Sequence, residues 1–95
     1  MSEPDYSSMV RGQILIVDDE PEVLNSLRRA LRRDFDVFTA RSAEEGYAVL
    51  RDHPIQVIIS DQRMPEVSGA TFLASIRESY PDAIRMLITG YTDMQ

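Results

Sequence analysis

The chain has 95 residues, 43% of them hydrophobic, and a formal net charge of −6 at neutral pH. This length allows one small domain, and the acidic balance argues against nucleic acid as the main partner because phosphate binding requires a basic surface. The absence of cysteine excludes a disulfide framework and a thiolate metal site, and it favours a reducing cytoplasm.

The first residues predict a tail that leads into a strand and a helix. Residues 1–11 are polar and lack a repeating pattern, so we expect a disordered tail before a domain that covers residues 12–95. QILIVD (13–18) is a continuous apolar run, which is typical of a strand buried on both faces. Pro21 suits the first turn of a helix, and apolar residues follow it at helical spacing.

A second strand and a second helix follow. FDVFTA (35–40) predicts the strand, and Ser42 with Glu45 three residues later fits the capping box of the helix. This helix is expected to bury a stripe that includes Tyr47 and to end before Pro54.

The last part of the chain predicts two further strands around a third helix. QVIIS (56–60) is a buried strand, a polar loop follows it, and the apolar spacing predicts a helix over 70–80. AIRMLIT (83–89) predicts a fourth strand with Met86 in the core, and the residues after Gly90 resemble the start of another helix. Strands and helices thus alternate, which predicts an α/β fold with a parallel sheet and helices on both faces.

Acidic residues follow two of the predicted strands. Asp18 and Asp19 come directly after the first strand and Asp61 after the third. If these strands are neighbours, three carboxylates converge in one crevice, where their repulsion favours a proton or a bound cation. Such oxygen ligands suit Mg²⁺, and the hydroxyl of Thr89, after the fourth strand, could bind an anion held by the metal. These are the parts needed for phosphoryl transfer to Asp61.

Each of these residues also has a local explanation. The helix dipole favours Asp19 and Glu20 before Pro21, and Asp61 fits a turn in which its side chain accepts a nearby main-chain amide. Taken one at a time, these local explanations are the commoner ones. The arrival of all the acids at one edge of the sheet is what favours a functional site.

Three motifs resemble, in order and spacing, the receiver domain of two-component response regulators: ILIVDDEP (14–21), IISDQRMPEVSG (58–69) and MLITG (86–90). The resemblance implies a flavodoxin-like sheet with strand order 2-1-3-4-5. It also implies a cytoplasmic regulatory domain that is not itself an enzyme, although an output domain could be one. YPDAIRMLITGYTD (80–93) is similar to receivers joined to HD-GYP cyclic-di-GMP phosphodiesterase domains.

The resemblance implies a role for five residues. Asp61 corresponds to the phosphoacceptor, which receives a phosphoryl group from the phosphohistidine of a histidine kinase. Asp18, Asp19, Asp61 and the main-chain carbonyl of Arg63 correspond to the Mg²⁺ ligands, with Asp19 binding directly and Asp18 mainly through water. Thr89 corresponds to the switch hydroxyl that moves toward the phosphoryl group.

The sequence departs from the family pattern in two ways. All ten basic residues are arginines, so the family's phosphoryl-binding lysine has no counterpart in this sequence. The sequence also stops before the family's fifth strand and last helix. We therefore expect an incomplete receiver domain, a shortened form of a longer response regulator, whose fourth strand is an apolar edge that favours homo-oligomers.

Three functions compete. The first is a Mg²⁺-dependent phosphoacceptor in signal transduction, with a sensor histidine kinase or phosphotransfer protein as partner and with no direct binding to membrane or nucleic acid. The second is a receiver-like module for interaction or dimerisation that acts without phosphorylation. The third is an aspartyl phosphohydrolase of the haloacid-dehalogenase type, which ranks last because that class favours D-x-D where this sequence has VDDE.

Overall fold

The fold consists of strands and helices that alternate along residues 11–89, the part of the chain that this computed structural model describes. In chain order the elements are β1 (Gly12–Val17), α1 (Pro21–Leu31), β2 (Phe35–Ala40), α2 (Ala43–Asp52), β3 (Val57–Asp61), α3 (Gly69–Ile76) and β4 (Ile84–Ile88). The predicted order of elements is confirmed, and several of their ends are shifted.

The strands form one parallel sheet in the order β2-β1-β3-β4. This confirms the predicted α/β class and agrees with the first four positions of the flavodoxin-like order. After β2, the chain crosses to the other side of β1 to add β3. The carboxyl ends of β1 and β3 therefore adjoin at the point where the direction of strand addition reverses, which is where such sheets form binding sites.

Helices cover both faces of the sheet, as predicted. On one face, α2 and α3 pack against β1 and β3 around the fully buried Leu15, Ile58 and Phe72. On the other face, α1 covers β1 through Leu24. Ile59 on this second face is only half-buried. The core is therefore densest between the sheet and the pair α2 and α3.

Local chemistry accounts for the helix starts. Pro21 occupies the first turn of α1. The Ser42 Oγ accepts a hydrogen bond from the Glu45 amide at 3.1 Å, and the Glu45 carboxylate accepts the amide of Arg41 at 3.2 Å. The predicted capping box is thus present, except that its return bond goes to the residue before the cap rather than to the cap itself.

The third helix is shorter than predicted, because it ends at Ile76 rather than near residue 80. The Arg77 amide turns back to the Ala74 carbonyl at 3.4 Å, and the Tyr80 amide reaches the Ile76 carbonyl at 2.9 Å. Tyr80 precedes Pro81, whose ring disfavours the helical conformation in the residue before it. The helix therefore ends before the proline and the chain leaves it through a turn.

Two apolar residues predicted for the core are exposed. Met86 on β4 is 50% exposed, and Tyr47 on α2 is 42% exposed. Met86 lies on an outer strand of the sheet described for residues 11–89, on the face where α1 packs over β1 and β2. Tyr47 bridges two helices instead, since its hydroxyl shares a 2.6 Å hydrogen bond with Ser75 and its ring contacts Phe72 edge-on.

The described residues begin with Arg11, which packs on the fold. Its guanidinium donates to the carbonyls of Arg32 and Phe35 at 2.7 and 3.0 Å and pairs with the Asp36 carboxylate at 3.3 Å. The rest of the predicted tail, and the helix predicted after Gly90, lie outside the described residues. Within residues 11–89, no helix is long and apolar enough to cross a bilayer.

Candidate functional site

Carboxylates from two neighbouring strands meet at the carboxyl edge of the sheet. Val17 pairs with Ser60, so Asp18 directly after β1 lies beside Asp61 at the end of β3. Together with Asp19, each contributes one oxygen, and these oxygens all lie within 4.8 Å of one another. The structure thus brings together the three acids that the sequence suggested, with one of them buried and two half-buried.

Both strand-end aspartates also form local turns. The Asp18 Oδ1 accepts the amide of Glu20 at 2.9 Å, and the Asp61 carboxylate accepts the main-chain amide of Arg63. A bond from a side chain to the amide two residues later is that of an Asx turn, so the local explanation holds here. It is compatible with a shared site because an ionised carboxylate offers about four lone-pair positions.

The cluster is electrostatically unfavourable without a cation. Burial, and then the charge of Asp18, raise the pKa of Asp61, while the main-chain amides of Gln62 and Arg63 partly offset the rise. Burial also raises the pKa of Asp18, which the amide of Glu20 partly offsets and the neighbouring acids reinforce. A site of this kind gains stability from a proton or from a bound cation.

The three acids form one wall of an open cleft of about 750 Å³. The loop after β3 forms another wall through residues that include Arg63 and Glu66. Ile88, at the end of β4, borders the cleft on the remaining side. The cleft is open and rich in carboxylates, so it suits a small ionic group rather than an apolar ligand.

Two backbone features shape the loop between β3 and α3. Glu66 has a positive φ of 71°, and across it the Val67 amide donates to the Pro65 carbonyl at 2.7 Å, which is the bond of a γ-turn. Gly69 begins α3 against the main-chain carbonyl of Asp61, where a Cβ atom would overlap the oxygen. The close approach of α3 to the end of β3 therefore requires glycine at this position.

Thr89, the predicted switch residue, lies at the end of β4 and does not line the cleft. Thr89 is exposed one residue beyond β4, and the cleft wall at this end is formed by Ile88.

Gln62, which sequence reasoning did not single out, accepts the amide of Ala70 through its side-chain oxygen at 3.0 Å. This contact joins residues eight positions apart across an irregular loop, so no periodic pattern in the sequence reveals it.

Comparison with known proteins identifies the family. Residues 14–95 match the response regulator receiver domain. The hydrogenase transcriptional regulatory protein HoxA of Cupriavidus necator is 45% identical over 85 residues, which cover 90% of this chain and 18% of HoxA. The chain therefore spans less than a fifth of the length of this relative. The similarity to HD-GYP-linked receivers stays a prediction.

Two solved structures have the same fold. The signal receiver domain of an HD domain-containing protein from Pseudomonas fluorescens has a TM-score of 0.84 at 31% identity, over 90% of this chain and 69% of that one. TrrA from Thermotoga maritima, solved in complex with Mg²⁺ and BeF, has a TM-score of 0.80 at 30% identity, over 88% of this chain and 74% of that one. Since the family match covers most of the sequence and the folds agree, the chain belongs to the response regulator receiver domain family.

Proposed function

We propose that this receiver domain accepts a phosphoryl group on Asp61 in a Mg²⁺-dependent step of two-component signal transduction. The donor would be a sensor histidine kinase or a phosphotransfer protein. The observation that carries the proposal is the meeting of Asp18, Asp19 and Asp61, whose carboxylate oxygens lie within 4.8 Å of one another at an open cleft. Asp61 is half-buried at the cleft, so a partner's phosphoryl group can reach it.

Asp61 has the chemistry of an acceptor. One carboxylate oxygen attacks the phosphorus, the P–N bond to the donor histidine breaks, and an acyl phosphate forms while the histidine nitrogen keeps the electron pair. The hydrogen bond from the Arg63 amide restricts the rotation of this carboxylate, and the open side of the cleft gives the donor room for in-line approach.

The residues fit a Mg²⁺ ion. Asp18, Asp19 and Asp61 would hold it, with the main-chain carbonyl of Arg63 as a further oxygen, because Mg²⁺ prefers oxygen ligands and keeps several waters. Burial, together with the charges of the neighbouring acids, raises the pKa of Asp18 and of Asp61, so their ionised forms would be stabilised by a bound cation. When bound, the ion would neutralise part of the charge on the phosphoryl oxygens.

Thr89 is the proposed sensor of the phosphoryl group. It directly follows β4, in which Ile88 is paired with Asp61, so its main chain leaves the sheet beside the acceptor. A side-chain hydroxyl at this place could donate to a phosphoryl oxygen. These 95 residues include no lysine, so none of them would supply an ammonium partner to the phosphoryl group.

Receiver domains of response regulators are regulatory rather than catalytic, and this chain is such a regulatory domain. We propose that it acts in the cytoplasm, because a chain without cysteine suits a reducing compartment.

The test is intact-mass spectrometry of the 95-residue chain after incubation with acetyl phosphate and Mg²⁺. We expect a phosphoryl adduct that survives acid, is lost in base and is absent from Asp61→Asn. Asp82→Asn is a matched control, since it removes an exposed aspartate outside the cleft and should keep the adduct. A folded chain that binds Mg²⁺ but forms no adduct would contradict the proposal, and continued release of free phosphate would favour a hydrolase.

A second candidate function is an interaction module that acts without phosphorylation. The observation that favours it is the apolar surface of β4, where Ile84 is 60% and Met86 is 50% exposed. A second copy of the chain could pair its own β4 with this edge and bury both residues. In that case Asp61→Asn would leave self-association unchanged, and no adduct would form on the wild-type chain.

A further inference from the structure

We propose that Gln62 is a positioning residue whose side-chain oxygen fastens the loop that carries Asp61 and Arg63 to the first turn of α3. The importance of this role rests on the proposed function, because the loop would supply the acceptor carboxylate and a carbonyl ligand to the same site. The positioning itself can be measured without a metal or a phosphodonor.

Gln62 makes hydrogen bonds to two separate elements. Its main-chain amide donates to the Ile88 carbonyl of β4 at 3.0 Å, and its main-chain carbonyl accepts the Gly69 amide at 2.9 Å. Its side-chain Oε1 accepts the Ala70 amide at 3.0 Å. A main-chain amide can only donate, so this contact also determines which end of the Gln62 side chain faces α3. The bond to Ala70 is the one that a substitution can remove.

These bonds complete the first turn of α3, whose amides have no partner within the helix. The amides of Gly69 and Ala70 both go to Gln62, while the Thr71 amide goes to the Ser68 Oγ at 3.2 Å. Gln62 therefore provides most of the cap of α3 although it lies outside the helix. The helix and the loop are joined at this residue.

The same turn of α3 contacts Asp61 directly. A Cβ atom on Gly69 would overlap the main-chain carbonyl of Asp61, which shows how close the helix start and the strand end are. The Arg63 amide in turn donates to the Asp61 carboxylate. Loss of the Gln62 oxygen would release Ala70 from the loop. Because Ala70 is exposed, water can replace the lost acceptor, so the loop can shift without unfolding either element.

The test compares two substitutions of similar length. Gln62→Met lacks a strong acceptor, whereas Gln62→Glu keeps an oxygen at the same place. In the metal-free chain, we expect NMR to show faster hydrogen exchange at the amides of both Ala70 and Arg63 in Gln62→Met, with slow exchange restored in Gln62→Glu. Because Gln62→Glu adds a charge to the cleft, only its exchange rates are compared.

Calorimetric titration with MgCl₂ provides the second readout. We expect the Mg²⁺ Kd to rise about 10-fold in Gln62→Met, which is the low end of the effect for residues that orient metal ligands. Ser42→Ala is the matched control, because it removes an equivalent side-chain cap from α2. It should lower the unfolding midpoint and leave the Mg²⁺ affinity unchanged.

Hydrogen exchange at the Arg63 amide tests the positioning role of Gln62 without any bound metal. If Ala70 exchanges faster in Gln62→Met while Arg63 exchange and Mg²⁺ affinity keep their wild-type values, the positioning role is overturned. If the wild-type chain forms no phosphoryl adduct but Arg63 exchange still responds to Gln62→Met, the proposed function fails and the positioning role stands.

Discussion

The ionised form of the Asp61 side chain is destabilised in the folded chain, because burial and the charge of Asp18 raise its pKa. We expect Asp61→Asn to raise the free energy of unfolding of the metal-free chain by roughly 0.5–2 kcal/mol, as substitutions that relieve a strained functional site often do. Urea denaturation in the presence of a chelator measures this change. The gain should shrink at saturating Mg²⁺, which would stabilise the wild-type site more than the variant.

Asp82→Asn is the control for the effect of charge alone. Asp82 is exposed in the turn before β4, so the change in unfolding free energy should stay within about 0.5 kcal/mol. A metal-free Asp61→Asn chain that is no more stable than wild type would show that burial and the charge of Asp18 do not destabilise the ionised Asp61 side chain.

The raised pKa values also predict how stability depends on pH. A carboxyl group with a higher pKa in the folded chain binds protons more strongly when folded, so the free energy of unfolding falls as pH rises from the unfolded pKa to the folded pKa. For Asp18 and Asp61 this window begins near the ordinary value of 3.8 and extends upward. We expect wild type to lose more stability across it than Asp61→Asn in urea denaturation without divalent ions. Parallel pH profiles would contradict this prediction.

Single residues differ in how far they could be predicted. Asp18 and Asp61 could be located from the sequence because each follows an apolar strand, and parallel strands deliver their ends to one edge. Gln62 could not, since its partner Ala70 comes within reach only after the loop has turned at Glu66. The exposure of Thr89 likewise depends on which elements surround the end of β4.

At the level of elements, the junction of β3 and α3 depends on Gly69. Alanine is favoured over glycine within helices by about 1 kcal/mol, but here its Cβ would overlap the main-chain carbonyl of Asp61. A main-chain oxygen at a strand end cannot rotate away, so the overlap should dominate. We expect Gly69→Ala to lower the free energy of unfolding by about 1–3 kcal/mol, measured by urea denaturation.

Gly12→Ala is the control for Gly69→Ala, because the nearest neighbour of the added methyl group is a side chain, Phe35, rather than a main-chain carbonyl. Its Cβ would meet a ring carbon of Phe35 at 2.9 Å, and this half-buried ring can shift. The loss of stability should therefore be smaller than for Gly69→Ala. Equal effects of the two substitutions, or a stabilising effect of Gly69→Ala, would mean that α3 has room to move at the junction.

Helix starts were more predictable than helix ends and strand exposure. Ser42 determines the start of α2 by a bond to its own first turn, which the spacing to Glu45 already indicates. The apolar pattern predicts that α3 continues to Tyr80, whereas the helix ends at Ile76, because Pro81 disfavours the helical conformation in the residue before it. The apolar composition of β4 predicted a strand correctly but not its exposure, which depends on the covering elements.

For the molecule as a whole, alternating strands and helices made the parallel sheet predictable, and β4 then lies at its outside among residues 11–89. We expect the wild-type chain to self-associate as its concentration rises, because this edge is apolar. Ile84→Lys places a charge on the edge and should shift sedimentation equilibrium toward the monomer. Ala74→Lys, on an exposed position of α3, should not. A wild-type monomer at all concentrations would contradict the prediction.

The inner position of β1 and β3 also bears on the order in which the domain comes apart. Each has a partner strand on both sides, whereas β2 and β4 have one partner among residues 11–89. Opening should therefore spread inward from the outer strands, and the innermost pair should be the last to separate. Since this pair carries Asp18 and Asp61, the acidic cluster belongs to the most persistent part of the domain. Fraying of β4 would then expose apolar surface well before the cluster is dispersed.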